Sequence, residues 1–185
     1  MNSAENNSNA LDYCINKAIP DGSNRYYATL FEESKNKHVL ICLHAFLNEL
    51  AEIIRECSDP GIARIKLHWW EEEIERLFNE QARHPISRQI AKNLSLNDNL
   101  KTSLNLIINS YDDFIFIKPI ETLESTLSSF ASTAGEIWVQ CGVQTHRSSA
   151  ETLNSLRESG AVYHFLRCLQ EPNTYITRSE EHTSE

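Results

Sequence analysis

Glu49, Glu52 and Glu56 follow one another at three- and four-residue spacing, which on a helix sets all three carboxylates on one face. Such a face is either a ligand set for a hard divalent cation, which needs several oxygens around it, or a solvated acidic stripe opposite an apolar one. Arg55 lies among them, and a guanidinium at that place repels a metal ion. A second acidic block, Glu71, Glu72, Glu73 and Glu75, follows the pair Trp69-Trp70. It reads as an exposed face near the start of a helix, where negative charge suits the dipole. Arg64, Lys66 and Arg167 are cations that could hold a phosphate, and each is equally well placed for a structural ion pair. The seven histidines carry no metal spacing, since none stands three residues after a glutamate. His164, in an apolar stretch, reads as a hydrogen-bonded interior residue. No glycine-rich phosphate loop is present, and no Ser/His/Asp set can be assigned.

The chain that must position these groups has 185 residues, enough for one domain with a real core. Its 41% hydrophobic and 23% charged residues are ordinary for a soluble globular protein. The net charge is -9, or -7 once the one Arg and three Glu of the last eight residues are left out. That balance argues against nucleic acid as a partner, which needs a basic footprint. The cysteines, Cys14, Cys42, Cys57, Cys141 and Cys168, form no CxxC pair. They read as reduced cytoplasmic thiols, with Cys42 and Cys141 as small core residues. No apolar run approaches the ~20 residues of a membrane span, so any membrane contact is expected to be peripheral.

Apolar periodicity makes the chain helical throughout. Val39, Leu43, Phe46, Leu50 and Ile53 alternate steps of four and three, and Leu67, Trp70, Ile74 and Leu77 repeat the pattern after Ser58-Asp59-Pro60 ends one helix and starts the next. Pro20-Asp21-Gly22-Ser23-Asn24 is a turn that offers Ser23 or Asn24 as an N-cap. His84-Pro85 breaks the pattern again, and a polar loop from Asn93 to Asp98 precedes a helix over Leu100–Tyr111. Asp112–Ile117 is a connector or a buried helix end, and Leu123–Cys141 and Leu153–Leu169 are further helices. Residues 1–10, rich in Asn and Ser, read as a disordered lead-in. Residues 11–177 then form one all-α domain. The last eight residues, Arg178 to Glu185, match the translation of a sequencing-adapter read-through. The natural chain is therefore expected to break off near Thr177, leaving a bundle truncated at its C-terminal end.

Five stretches, in order, resemble the squalene/phytoene synthase family. They are Ser23 with Tyr26-Tyr27-Ala28, the helix Leu43–Ile53, Asp59-Pro60 leading to Ala63-Arg64-x-x-Leu67-x-Trp69-Trp70-x-x-Glu73, Thr133-Ala134-Gly135, and Phe165-Leu166-Arg167. The resemblance implies an isoprenoid-synthase-like helical bundle in which Leu43–Ile53 and Leu153–Leu169 face each other across a cavity. It implies a head-to-head condensation of two farnesyl or geranylgeranyl diphosphates on Mg²⁺ ions held by two aspartate-rich motifs. The substrate-cavity candidates that follow are Tyr27, His44, Glu49, Glu52, His164 and Arg167.

The aspartates themselves are missing. Ala51, Arg55, Cys168 and Pro172 stand at positions the family makes acidic, leaving Glu52 and Glu171 as the sole carboxylates there. Asn48 replaces a diphosphate-binding arginine, Ala161 and His164 replace a glutamine and an asparagine, and Ser129 falls where a tyrosine is expected. Two phosphates with several Mg²⁺ ions need more carboxylate than this. We therefore expect a family member without two-metal chemistry, no catalytic or metal-ligand residues, and no cofactor; Mg²⁺ returns only if the enzyme reading holds. The non-catalytic alternative is a binding or assembly module, like the family members that assemble respiratory complex I, with an isoprenoid diphosphate or a protein as partner.

Overall fold

Eight helices and no strand make up the regular structure of residues 3–115, 123–145 and 149–170, the part described by the computed structural model. They are α1 (Ser3–Ala18), α2 (Asn24–Thr29), α3 (Ser34–Glu56), α4 (Pro60–Phe78), α5 (Pro85–Asn93), α6 (Asp98–Ile115), α7 (Leu123–Gln144) and α8 (Ala150–Gln170). Residues 165–170 and 123–130 are placed as helix only, so Arg167, Cys168 and Ser129 have no described side chains. Glu171, Pro172 and the tail 178–185 lie outside the described residues.

Helix α3 is the axis of the bundle and packs against α1, α4, α5, α6 and α7. Its segment Ile41–Leu47 is buried on every side, which corrects the single apolar stripe expected from periodicity. The reason is composition: Ile-Cys-Leu-His-Ala-Phe-Leu offers no charged side to solvent, so neighbours close around it. The lead-in expectation is also corrected, because α1 already runs from Ser3. Ala10, Cys14 and Ala18 repeat at four-residue spacing and are all buried; docking on α3 and α5 outweighs the poor helix propensity of the Asn- and Ser-rich start. Asp112–Ile115 is the end of α6, and Ile115 is buried there.

Helix starts follow local rules. Ser23 accepts from the Tyr26 N–H at 3.1 Å, and the Asp59 carboxylate accepts from Gly61 at 2.7 Å and Ile62 at 3.1 Å ahead of α4. The His84 Nδ1 accepts from the Ile86 N–H at 3.2 Å and caps α5, so the ring proton sits on Nε2. Helices α7 and α8 touch backbone to backbone. A Cβ on Gly135 would lie 2.8 Å from the Arg157 carbonyl oxygen, and one on Gly160 would lie 2.8 Å from the Trp138 ring. The Trp pair divides its labour: Trp70 is buried edge-on to Phe46 at 5.3 Å, while Trp69 stays 40% exposed.

The acidic block after this pair is not uniformly exposed. Glu73 is fully buried, because the loop between α4 and α5 folds back over it. One carboxylate oxygen accepts from the Arg83 and His84 N–H groups at 2.7 Å each and from the Ser87 hydroxyl; the other accepts from Arg76 Nε at 2.8 Å. Burial alone would raise its pKa, but these hydrogen bonds from Ser87, His84, Arg76 and Arg83 outweigh it and hold Glu73 below the ordinary glutamate value.

A group with a depressed folded-state pKa stabilises above its unfolded value, about 4.3 for glutamate, and loses that contribution as pH falls through the folded value. Glu73→Gln places an amide N–H₂ toward Arg76 and removes the charge. We expect it to cost about 2–3 kcal/mol at pH 7, or roughly 4–12 °C in Tm. The gap to wild type should close as melts are repeated from pH 7 down to about 3.5. An unchanged gap would show that the charge on Glu73 does not hold the loop.

Candidate functional site

Helix α1 lays Lys17 across the acidic face of α3. The Lys17 ammonium lies 2.9 Å from Glu49 and also bonds Glu52, and the Tyr13 hydroxyl donates to Glu49. Arg55 adds a guanidinium 3.3 Å from Glu52 and 3.8 Å from Glu56. Burial alone would lower Lys17, yet its hydrogen bonds to Glu52 and Glu49 and their charges outweigh this and raise it above the ordinary lysine value. Tyr13 is raised by burial and by Glu49. Glu49 and Glu52 are thus neither a solvated face nor a free ligand set but a seat for the chain's own cations, while Glu56 at the end of the stripe is exposed.

This arrangement does not fit Mg²⁺. Of the positions on α3 expected to be acidic only Glu52 is, and it is engaged by Lys17 and Arg55. Among the described residues no three His, Cys, Asp or Glu side chains converge as a metal site.

Three hollows surround the cluster. A groove of about 270 Å³ is lined by Glu49, Glu52, Glu56, Lys66, Trp69 and His84. There His84, lowered mainly by burial, packs edge-on against Trp70 at 4.7 Å and Tyr13 at 5.6 Å. On the other side of Lys17, a polar vestibule of about 440 Å³ is lined by Lys17, Arg25, Asn48, Ala51, Arg55 and Tyr163, among others. Behind it, an apolar chamber of about 240 Å³ lies between α2, α3, α7 and α8, with Leu40 and His44 on one wall and Trp138, Cys141, Leu156 and Tyr163 opposite. The helices carrying Ala51 and His164 therefore do face each other across a cavity.

Of the candidates, His44 lines the chamber with its ring edge-on to Trp138 at 5.8 Å. Glu49 and Glu52 form the Lys17 seat. His164 is buried with its ring 5.2 Å from Tyr163. Arg167 has no described side chain. Tyr27 is 59% exposed and lines none of these three hollows. Helix α2 is six residues long and turns Arg25, Ala28 and Thr29 inward, which leaves Tyr27 on the outer side. Arg64 is a structural ion pair, 2.8 Å from Asp112 of α6.

Lys17, Arg25, Tyr13 and Tyr163 were not singled out from sequence. Arg25 donates to Asn48 at 3.3 Å and to the Tyr163 hydroxyl at 2.7 Å. An arginine from α2 thus reaches Asn48 of α3. Its position two residues before Tyr27 was the available signal.

The family model described as squalene/phytoene synthase matches residues 20–161. No curated protein and no solved structure gives a significant match.

Lys17→Met leaves Glu49 and Glu52 facing each other without their ammonium. Both are partly exposed, so the expected cost is about 1–3 kcal/mol, or roughly 2–12 °C in Tm. Lys17→Arg should stay near wild type. The contribution is present below the ordinary lysine pKa of about 10.4 and is lost as pH rises through the raised folded value. Melts should therefore show the Lys17→Met deficit shrinking only in strong alkali.

Proposed function

We propose that this chain, which belongs to the squalene/phytoene synthase family, has given up the Mg²⁺-dependent condensation of two prenyl diphosphates and keeps the bundle as a binding module. One observation carries this reading: the carboxylates nearest the first motif, Glu49 and Glu52, hold the ammonium of Lys17. A tethered cation at that seat is a permanent competitor for any metal, because it is covalently part of the fold and its local concentration never falls. Arg55 adds a second fixed positive charge where the reaction needs a metal ligand.

The family's allylic ionisation needs metal-bridged phosphate, and among the described residues no three His, Cys, Asp or Glu side chains converge to hold such a metal. What the chain does supply is a lined apolar chamber, a polar mouth, and an arginine between the two. That combination supports recognition without turnover. A cytoplasmic location with peripheral membrane contact agrees with two further features. No described helix is long and apolar enough to cross a membrane. Tyr27, Leu30 and Phe31 stand exposed at the end of α2 beside the chamber.

The test is direct. The protein, given labelled farnesyl diphosphate and Mg²⁺, should release no pyrophosphate and form no C30 hydrocarbon, and Mg²⁺ should not raise its Tm. Turnover that Glu52→Gln abolishes would overturn the reading and make Glu52 a metal ligand. If no turnover appears, aspartate at 51, 55, 168 and 172 together, with Lys17→Met, asks whether the cavity still supports the ancestral reaction.

A further inference from the structure

The outer side of α4 leaves three apolar side chains in the open. Ile62, Ile65 and Trp69 are 53%, 72% and 40% exposed, and steps of three and four residues set them in one row along the helix. Leu67, Trp70 and Ile74, which α4 buries in the core, form a different row. Single exposed apolar side chains are ordinary. A row of three at the spacing by which helices pack on one another marks a face that pairs.

The charges beside the row narrow the choice of partner. Lys66 stands next to Trp69 on the rim of the groove and has no ion-pair partner among the described residues. Glu72, six residues further on, is held at 3.2 Å by Arg76 and 3.8 Å by His68, yet its side chain stays 53% exposed. The row thus carries an unanswered cation toward the start of the helix and an open carboxylate toward its end. Turned through a two-fold axis, the same row presents each charge to its opposite.

We propose that this face of α4 pairs with the same face of a second copy of the chain, the two helices antiparallel about a two-fold axis close to Trp69. Each Lys66 then lies opposite the partner's Glu72, and each Ile65 packs on the partner's Trp69. An isologous contact requires self-complementarity of this kind. A lipid surface offers less. An anionic one would meet Glu72, Glu56 of the groove and a chain of net charge -9, and a neutral one supplies no cation for Glu72. Since Lys66 and Trp69 are walls of the groove, the partner's helix also covers its rim. Nothing in this pairing depends on what the cavity holds.

Two crossed helices bury less than the roughly 1,200 Å² of a standard interface, so the dimer is expected to be weak, with Kd on the order of 10–100 μM. Sedimentation equilibrium of the full chain from about 1 μM to about 1 mM should show reversible monomer–dimer exchange. Ile65→Glu, which sets a carboxylate opposite the partner's Glu72, should weaken association by at least about tenfold, while Ile65→Leu stays near wild type. Lys66→Glu and Glu72→Lys should each associate about tenfold more weakly alone, because both symmetry-related pairs become repulsive. An equal mixture of these two variants should regain wild-type affinity, since only the mixed dimer matches every charge. In wild type, carbodiimide should join Lys66 to Glu72 between chains, read as a mixed-isotope peptide from a blend of light and heavy-nitrogen protein; that readout needs no variant to fold.

A wild type that is monomeric throughout this range overturns the inference. So does a dimer that Ile65→Glu leaves intact, or a pair of charge variants that mixing does not rescue. A monomer that floats with phosphatidylcholine vesicles, and ceases to do so as Ile65→Glu, overturns it in favour of a lipid surface.

Discussion

A charge that leaves water must be answered by another, and the ammonium of Lys17 answers two carboxylates at once. Glu49 and Glu52 lie on the central helix, and Lys17 ends the first helix, so the contact is both an electrostatic solution and a mechanical joint. The Cys14 and Ala18 side chains bury beside it, so apolar packing and charge pairing act at the same place. The same joint divides the surface around α3. A groove rich in carboxylates lies on one side of Lys17, and a vestibule carrying Arg25 and Arg55 lies on the other. Its geometry therefore bears on which ions each hollow accepts.

Glu73 shows the same rule in a different use. As the last residue of the Trp-Trp-x-x-Glu stretch it invites a role in chemistry, yet its bonds run to the loop that follows its own helix, to Ser87 of α5 and to Arg76. A buried carboxylate with four donors organises backbone, and here it sets the start of α5, whose cap His84 packs on Trp70 and Tyr13. The Trp pair, the acid and the histidine are one structural unit beneath the groove.

Much of the fold was legible because its causes are local. The Asp59-Pro60 and Ser23 helix starts and the apolar spacing of α4 are each read from a few neighbouring positions. The site was legible in part. That Ala51 and Arg55 are not acidic is visible in sequence, but the partner of Glu52 is not, because Lys17 and Glu52 are 35 residues apart and meet only through α1 docking on α3. Glu73 misled for a related reason: exposure was inferred from its glutamate neighbours, and its partners on the loop that buries it lie ten and eleven residues on. The exposure of Tyr27 is a matter of register that sequence does not show, since on a six-residue helix one position decides between inside and outside.

Four of the five cysteines sit buried as free thiols, and burial pushes Cys14 and Cys141 up to about 12, with Cys42 raised further. In the folded protein Cys14, Cys42 and Cys141 are almost wholly protonated and out of reach, so they are poor nucleophiles. An alkylating reagent then meets them only when the surrounding helices part. The rate at which each thiol is consumed is set by how often its own neighbourhood opens. Cys14 times the docking of α1, Cys42 the breathing of the central helix, and Cys141 the opening of the apolar chamber. The bundle thus carries chemical clocks at three of its own joints.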